Sequence, residues 1–146
     1  MLNRLPQHQA KESTFRQANE ILQCDINELD SEAALESTIN VQLSLFIAGV
    51  AAARILEAEQ VIPAAVAGLS VGAFAAAVVC HSLTFADGIA IVKKRAQLME
   101  TSFPSGYGMA AIVGLTEQKV AELVNRFYDQ SAPVFVSNIN APIEIA

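Results

Sequence analysis

Gly68-Leu69-Ser70-Val71-Gly72 sets a serine between an apolar run, Ala64-Ala65-Val66-Ala67, and a small-residue stretch that continues through Ala73, Ala75, Ala76 and Ala77. A Gly-x-Ser-x-Gly turn between a strand and a helix is a nucleophile elbow. Its glycines serve a strained backbone and a close approach of strand to helix, and its hydroxyl is presented for attack on an acyl carbon. The alanines predict a helix lying close on its sheet, with N-terminal N–H groups aimed at whatever the serine attacks. The chemistry implied is acyl transfer or hydrolysis through a serine ester.

Such a serine needs a base, and the chain offers only His8 and His81. His81 follows Ser70 by eleven residues, near the end of the same predicted helix, which places it roughly 16 Å away along the axis at a rise of about 1.5 Å per residue. It cannot reach the hydroxyl. His8 lies in a polar opening segment, Asn3 to Glu12, and reads as a solvent-exposed side chain with nothing local to hold it. The Ser-His pair is incomplete.

The elements that position the serine follow from periodicity and punctuation. Ser13 to Leu22 predicts a short amphipathic helix and Asp30 to Glu36 another. Asn40 to Glu59 predicts a long, mostly buried helix with Val41, Leu45, Ala48, Ala52 and Ile55 on its inner face and Gly49 as a close-packing point. Pro63 ends the connection into the elbow strand, read as a buried parallel strand over Ala64 to Ala67. Thr84-Phe85-Ala86-Asp87 has the form of a capping box opening a helix to about Thr101, with Ile89, Val92, Ala96 and Met99 inward. Pro104-Ser105-Gly106-Tyr107-Gly108 reads as a hinge. Beyond it come a strand over Met109 to Val113, a helix from Glu117 to Tyr128 capped by Thr116, a second strand over Val134 to Ile139, and a third beginning at Ile143.

The 146 residues are 53% hydrophobic and 16% charged, with a net charge of −6 and a mean hydropathy of +0.38. That is more apolar material than a domain of this length needs, so part of it expects another layer, and the last apolar run stops as it begins. Truncation is the expectation. No apolar run approaches the 18 or more residues of a membrane span, since Gln42, Ser44 and Arg54 interrupt Val41 to Ile55. The polar N-terminus lacks a signal-peptide core, so a cytoplasmic protein is expected. Cys24 and Cys80 are far apart without metal-ligand spacing and read as reduced, partly buried thiols. The acidic balance disfavours nucleic acid as a partner.

Taken together, the Ser70 elbow, Arg95 within Val92-Lys93-Lys94-Arg95-Ala96-Gln97-Leu98-Met99-Glu100, the stretch from Pro104 to Leu115, and Ser137-Asn138-Ile139-Asn140-Ala141-Pro142 resemble the malonyl-CoA:acyl-carrier-protein transacylase family. The resemblance covers nearly the whole chain. It is nearest to the subtype that serves as the epsilon subunit of malonate decarboxylase, whose elbow typically reads Gly-Leu-Ser-Val-Gly-Ala-Phe, as Gly68 to Phe74 does here. Most fatty-acid-synthesis members carry histidine where Leu69 stands. The fold implied is α/β: residues 1–103 as part of an α/β hydrolase-like large acyltransferase subdomain, and 104–146 as the start of a ferredoxin-like small subdomain. Members run to about twice this length, which implies that an N-terminal Gly-Gln-Gly loop and the histidine that pairs with the serine are missing here.

Arg95 has a role that chemistry alone can state. A malonyl group differs from acetyl by a free carboxylate, and a planar guanidinium offers paired N–H donors that match its two oxygens. The matching arginine of the family holds that carboxylate; the alternative is a surface arginine beside Lys93 and Lys94. Gln42 falls where the family carries a glutamine facing the site, or else is a buried amide satisfied by backbone. Asn138 and Asn140 match an Asn-x-Asn segment leading toward the cleft, or form turns.

The resemblance implies ping-pong transfer. Ser70 attacks malonyl-CoA, the Val71 N–H and a second donor hold the oxyanion, and the malonyl group passes to the phosphopantetheine-type thiol of an acyl carrier protein. No bound metal or redox cofactor is implied. Docking of an acidic carrier would use Lys93, Lys94 and Arg54, and other malonate decarboxylase subunits are candidate partners. Alternatives are a transacylase of fatty acid or polyketide synthesis, a serine esterase, and an inactive truncated chain.

Overall fold

The computed structural model describes residues 1–102 and 106–146, and the chain divides into two units, Met1–Pro104 and Ser105–Ala146. The regular elements among the first unit's described residues are all helical: α1 (Gln9–Leu22), α2 (Ile26–Leu29), α3 (Thr38–Ala58), α4 (Gly72–Val79) and α5 (Phe85–Ser102), with short 3₁₀ turns at Leu2–Arg4 and Ala34–Glu36.

Helix α1 starts four residues before the expected Ser13 because His8 caps it. The ring Nδ1 accepts from the Ala10 N–H at 3.0 Å, while Nε2 lies 3.2 Å from Glu59 Oε1. The expectation of an unheld histidine is therefore corrected: a side chain that accepts from an orphan helix N–H is fixed by it. The helix expected over Asp30 to Glu36 is a 3₁₀ turn over Ala34–Glu36 only. Asp30 faces inward, its Oδ2 accepting from the Met1 ammonium and from the Leu2 N–H, and that competing use of the carboxylate removes it from the helix.

Helix α3 is the centre of the unit, packed by α1, α4 and α5. Its start is capped from a distance: Glu100 Oε1, on α5, accepts from Ser37 Oγ at 3.0 Å and from the Thr38 N–H at 3.1 Å. The buried face is Leu43, Phe46, Ile47, Val50 and Ala51 with Ile55, whereas Leu45 is 43% exposed. Of the inner face expected from spacing, only Ile55 is buried. The reason is that a helix enclosed on several sides is apolar almost all round, so three- and four-residue spacing fits more than one stripe. The same richness gives α3 an 18-residue window of mean hydropathy 1.7, so by length and composition one helix does reach a membrane span, contrary to the expectation. Gln42, Ser44 and Arg54 do not lower the average enough to exclude it. In the fold, three helices pack around it and Gln42 and Ser44 are buried.

Phe46 stacks on Phe85 with ring centroids 5.6 Å apart, and a Cβ on Gly88 would come within 2.5 Å of the Phe46 ring, so only glycine lets α5 lie this close. Gly49 meets α4 in the same manner, its ideal Cβ being 3.3 Å from that of Ala75. Arg54 donates to Thr14 Oγ1 and Gln17 Oε1, each at 3.1 Å, and lies over the Phe85 ring. Burial holds its guanidinium below the usual arginine value, with Glu57 opposing. It is engaged within the unit, which removes it from the expected docking patch; Lys93 and Lys94 are exposed. Thr84 caps α5, its Oγ1 accepting from the Asp87 N–H at 3.1 Å and donating to Asp87 Oδ2. Ile89, Val92 and Ala96 point inward as expected, but Met99 is 44% exposed.

The expected buried strand at Ala64 to Ala67 is not formed. Residues 61–70 carry no ladder and are all exposed. A strand exists by pairing, and the described residues of this unit hold no second strand to pair with. Cys24 and Cys80 are free thiols as expected, but both are exposed rather than partly buried.

The second unit contains β1 (Ile112–Val113), α6 (Glu117–Phe127), β2 (Ile139–Ala141) and β3 (Glu144–Ile145). The sheet is antiparallel in the order β1-β3-β2, with Ile145 opposite both Ile112 and Ile139. The first strand is shorter than expected over Met109 to Val113, and of Val134 to Ile139 the last three residues pair, with Ile145 and Ala146. Asn138 and Ala146 exchange bonds of 2.8 and 2.9 Å in the same register as Ile139 opposite Ile145, and a one-residue shift between Ile139 and Ala141 then interrupts β2. Thr116 makes no side-chain cap, so its carbonyl alone anchors the start of α6 through the Val120 N–H. The hinge expected over 104–108 falls in part outside the described residues, which omit 103–105.

Candidate active site

Ser70 sits at φ 53°, the left-handed region that a side chain with a Cβ seldom occupies. Such a residue costs on the order of 1–3 kcal/mol and persists only where its surroundings enforce it. The turn that holds it closes tightly over Gly68. A Cβ there would lie 2.2 Å from the Gly72 carbonyl carbon and oxygen and 2.5 Å from the Ala73 nitrogen, all backbone atoms that cannot move aside. The second glycine of the motif differs, because a Cβ at Gly72 meets nothing within 4 Å. Close approach at this turn therefore rests on Gly68, and the expectation that both glycines are needed for space is corrected.

Three bonds tighten the turn into α4: Gly72 N–H to Leu69 O at 2.9 Å, Ala73 N–H to Ser70 O at 3.2 Å, and Phe74 N–H to Val71 O at 3.2 Å. They occupy the amides at the start of the helix. Of the N–H groups expected to face the serine's target, Val71 is the one that makes no bond among the described residues. It directly follows the nucleophile, which is where an elbow places an oxyanion donor. The small residues of α4 meet a helix here: Ala75 is buried against Gly49 of α3.

Two helices bring polar side chains to the serine. Arg95, held on α5 between the buried Val92 and Ala96, donates from Nη2 to Ser70 Oγ at 3.0 Å. Its Nη1 donates to Gln42 Oε1 on α3. Gln42 is 6% exposed, and its Nε2 donates to Met99 Sδ at 3.4 Å. Leu69, 65% exposed, borders the serine in sequence. Gln42 is thus a buried amide satisfied by side chains, not by backbone.

Ser70, Val71, Arg95 and Gln42 are brought together in the first unit. Asn138 and Asn140 belong to the second: Asn138 Nδ2 approaches Met109 Sδ at 3.9 Å, and Asn140 Nδ2 donates to Glu144 Oε1 at 3.4 Å. Neither histidine bonds Ser70 among the described residues: His8 caps α1, and His81 lies beyond the end of α4 at φ 60°. Two shallow concavities, of about 490 and 410 Å³, are lined by other residues. The site is an open surface around the elbow. Sequence reasoning passed over Met99 as a site residue. Its signal was the four-residue spacing from Arg95, which sets both on one face of a helix.

This arrangement joins a strained serine, an unengaged amide and a guanidinium with paired donors. It suits attack on an acyl carbon whose substituent carries an anion. Comparison with known proteins agrees. Residues 7–142 match the acyl transferase domain family model. The chain is 34% identical to the malonyl CoA-acyl carrier protein transacylase of Staphylococcus aureus over 88% of its length and 45% of the relative's. It is 31% identical, with a TM-score of 0.89, to the structure of the malonyl CoA-acyl carrier protein transacylase from Coxiella burnetii, covering 99% of this chain and 48% of that one. A structure of a type II PKS acyl-carrier protein in complex with its malonyl-transacylase matches with 29% identity and a TM-score of 0.84, over 94% and 46%. The chain therefore spans less than half the length of these relatives, and its fold is the α/β acyltransferase fold they share. With a family match over nearly all of its residues, the chain belongs to the acyl transferase domain family.

Proposed function

We propose that the chain carries the acyl-loading site of a malonyl transferase. Ser70 takes a malonyl group from malonyl-CoA and passes it to the phosphopantetheine-type thiol of an acyl carrier protein. The observation that carries this reading is the 3.0 Å bond from Arg95 Nη2 to Ser70 Oγ. In a malonyl thioester one methylene separates the reacting carbonyl from the free carboxylate, so both ends must be served within a few ångströms. A guanidinium one hydrogen bond from the nucleophile meets that demand.

In the first half-reaction Ser70 Oγ bonds to the thioester carbon as its proton passes to a base, and the Val71 N–H donates to the oxyanion. The C–S bond then breaks and CoA leaves as its thiol. In the second the carrier's thiol attacks the malonyl-serine ester, and the Ser70 hydroxyl is restored. The reading requires a general base beyond the described residues, so the 146-residue chain alone is expected to turn over negligibly. The first unit stands as part of the large acyltransferase subdomain and the second as part of a ferredoxin-like one, in a cytoplasmic protein.

The finer reading is the epsilon subunit of malonate decarboxylase. It is supported by Gly-Leu-Ser-Val-Gly-Ala-Phe at Gly68 to Phe74, with Leu69 exposed beside the nucleophile. Fatty acid or polyketide synthesis is the alternative favoured by the names of the relatives. Comparing the carrier protein of a malonate decarboxylase with that of fatty acid synthesis as acceptor separates the two.

The test joins residues 1–146 to the remaining half of the Staphylococcus aureus transacylase. Incubation with radiolabelled malonyl-CoA and an acid quench are expected to leave label on Ser70 and none in Ser70→Ala. A folded chimera without label on Ser70 would overturn the reading. A malonyl-over-acetyl preference that disappears in Arg95→Ala separates it from a serine esterase.

A further inference from the structure

Arg95 is a donor-only group that meets Gln42, and Gln42 is a side chain with two unlike ends. Facing a guanidinium, the carboxamide must present its oxygen, because its NH₂ end would set donor against donor. That orientation turns Nε2 the other way, into a site where Gln42 is only 6% exposed. A buried NH₂ without an acceptor would favour rotation of the amide. The acceptor supplied is Met99 Sδ, at 3.4 Å. Met99 and Arg95 are four residues apart on α5, so the same helix contacts both ends of one amide.

We propose that Met99 is a positioning residue for Arg95, acting through the Gln42 carboxamide. The sulfur fixes the amide's direction, the amide oxygen holds Nη1, and the guanidinium is thereby aimed with Nη2 toward Ser70. Among the described residues Met99 makes no hydrogen bond to the nucleophile itself; its influence passes along the sequence sulfur, amide, guanidinium, hydroxyl. The inference rests on the malonyl-transferase reading only for its kinetic consequence, since the geometric part holds in the chain without substrate.

Two variants separate positioning from packing. Met99→Leu keeps apolar volume and removes the acceptor; Met99→Gln restores an acceptor at a similar reach and sacrifices apolar character. If Met99 only fills space, leucine is the mild change and glutamine the harmful one. Positioning predicts the reverse order. The first readout is NMR of the 146-residue chain, following solvent exchange of the Gln42 side-chain NH₂. We expect exchange about tenfold faster in Met99→Leu and close to the original rate in Met99→Gln, with backbone amides of α3 unchanged in both. Unchanged Gln42 exchange in Met99→Leu overturns the proposal, as does a Met99→Gln variant that exchanges as fast as Met99→Leu.

The second readout is kinetic, in the chimera described above. Met99→Leu is expected to raise KM for malonyl-CoA about fivefold, with kcat and acetyl-CoA use little changed, and Met99→Gln to recover most of the loss. An equal loss with malonyl and acetyl donors would overturn it. Absence of label on Ser70 in the unaltered chimera would instead remove the malonyl-transferase reading and leave the NMR result to stand for the relay.

Discussion

In the Met1–Pro104 unit, α3 is enclosed by α1, α4 and α5, and Phe46, Ile47, Val50, Ile89 and Val92 are each no more than 1% exposed. In the Ser105–Ala146 unit, Val120 and Ile145 are the buried apolar side chains among the described residues, while Tyr107, Met109, Val113, Phe127 and Phe135 are each at least 68% exposed. The contrast follows from how each kind of element satisfies its backbone. A helix closes its own hydrogen bonds, so a bundle of helices needs only side chains to make a core. A strand borrows its bonds from neighbours, and the sheet β1-β3-β2 has strands of two and three residues. A segment of the first unit makes the same point: residues 61–70 lie exposed and unladdered on an otherwise packed body.

The contrast can be broken most forcefully at Phe46. Phe46→Ala empties the stack on Phe85 and is expected to cost about 3–5 kcal/mol, seen as a fall in the helical circular dichroism transition. NMR signals of β1 and β3 should hold their positions; their loss together with those of the first unit would show that the two units melt as one. Next comes Gly68→Ala, where the added Cβ has only backbone to displace. A loss of about 2–4 kcal/mol is expected, together with loss of the Arg95–Ser70 contact, read from the Arg95 side-chain signals. Gly72→Ala should cost far less. Equal effects at the two glycines would refute the assignment of close approach to the first.

Smaller effects sharpen the picture. Thr84→Ala removes the cap of α5 and should lower stability by about 1 kcal/mol in a denaturant titration, without touching the second unit. At Cys80, exposed at the end of α4, hydrogen bonds from the Ser82 side chain and then its backbone hold the thiol below its usual value. A lowered value means more thiolate at a given neutral pH. Alkylation by iodoacetamide at pH 7 should therefore be about two- to threefold faster at Cys80 than in Ser82→Ala. A faster rate in the variant would contradict that sign.

How much of this was legible in the sequence depends on distance along the chain. The elbow could be read because Gly68, Ser70 and α4 act within five residues of one another, and the Thr84–Asp87 cap for the same reason. The phase of α3 could not, because apolar residues surround that helix and no single stripe stands out. The strand at Ala64 to Ala67 was read from composition, which reports apolar character but not whether a partner is present. His8 looked idle because histidine is not among the usual N-cap residues, so its bond from the Ala10 N–H went unread, and because Glu59, on its other nitrogen, is remote in sequence. The site divided along the same line. Arg95 could be nominated through the family resemblance, since a guanidinium's match to a carboxylate does not by itself set it apart from a surface arginine beside Lys93 and Lys94, whereas the contact of Met99 with Gln42 joins two helices whose relative rotation only the fold decides.

Glu100 ties the beginning of α3 to the end of α5 through one carboxylate oxygen shared by a hydroxyl and an amide. The two helix ends therefore fray in concert, and that clasp lies about one turn from Gln42 on one side and next to Met99 on the other. Shortening it by one methylene, as in Glu100→Asp, would draw the helices together or let them part, and the guanidinium would shift with them. The setting of the guanidinium beside Ser70 is in that sense tied to a carboxylate whose own bonds go to Ser37 and Thr38.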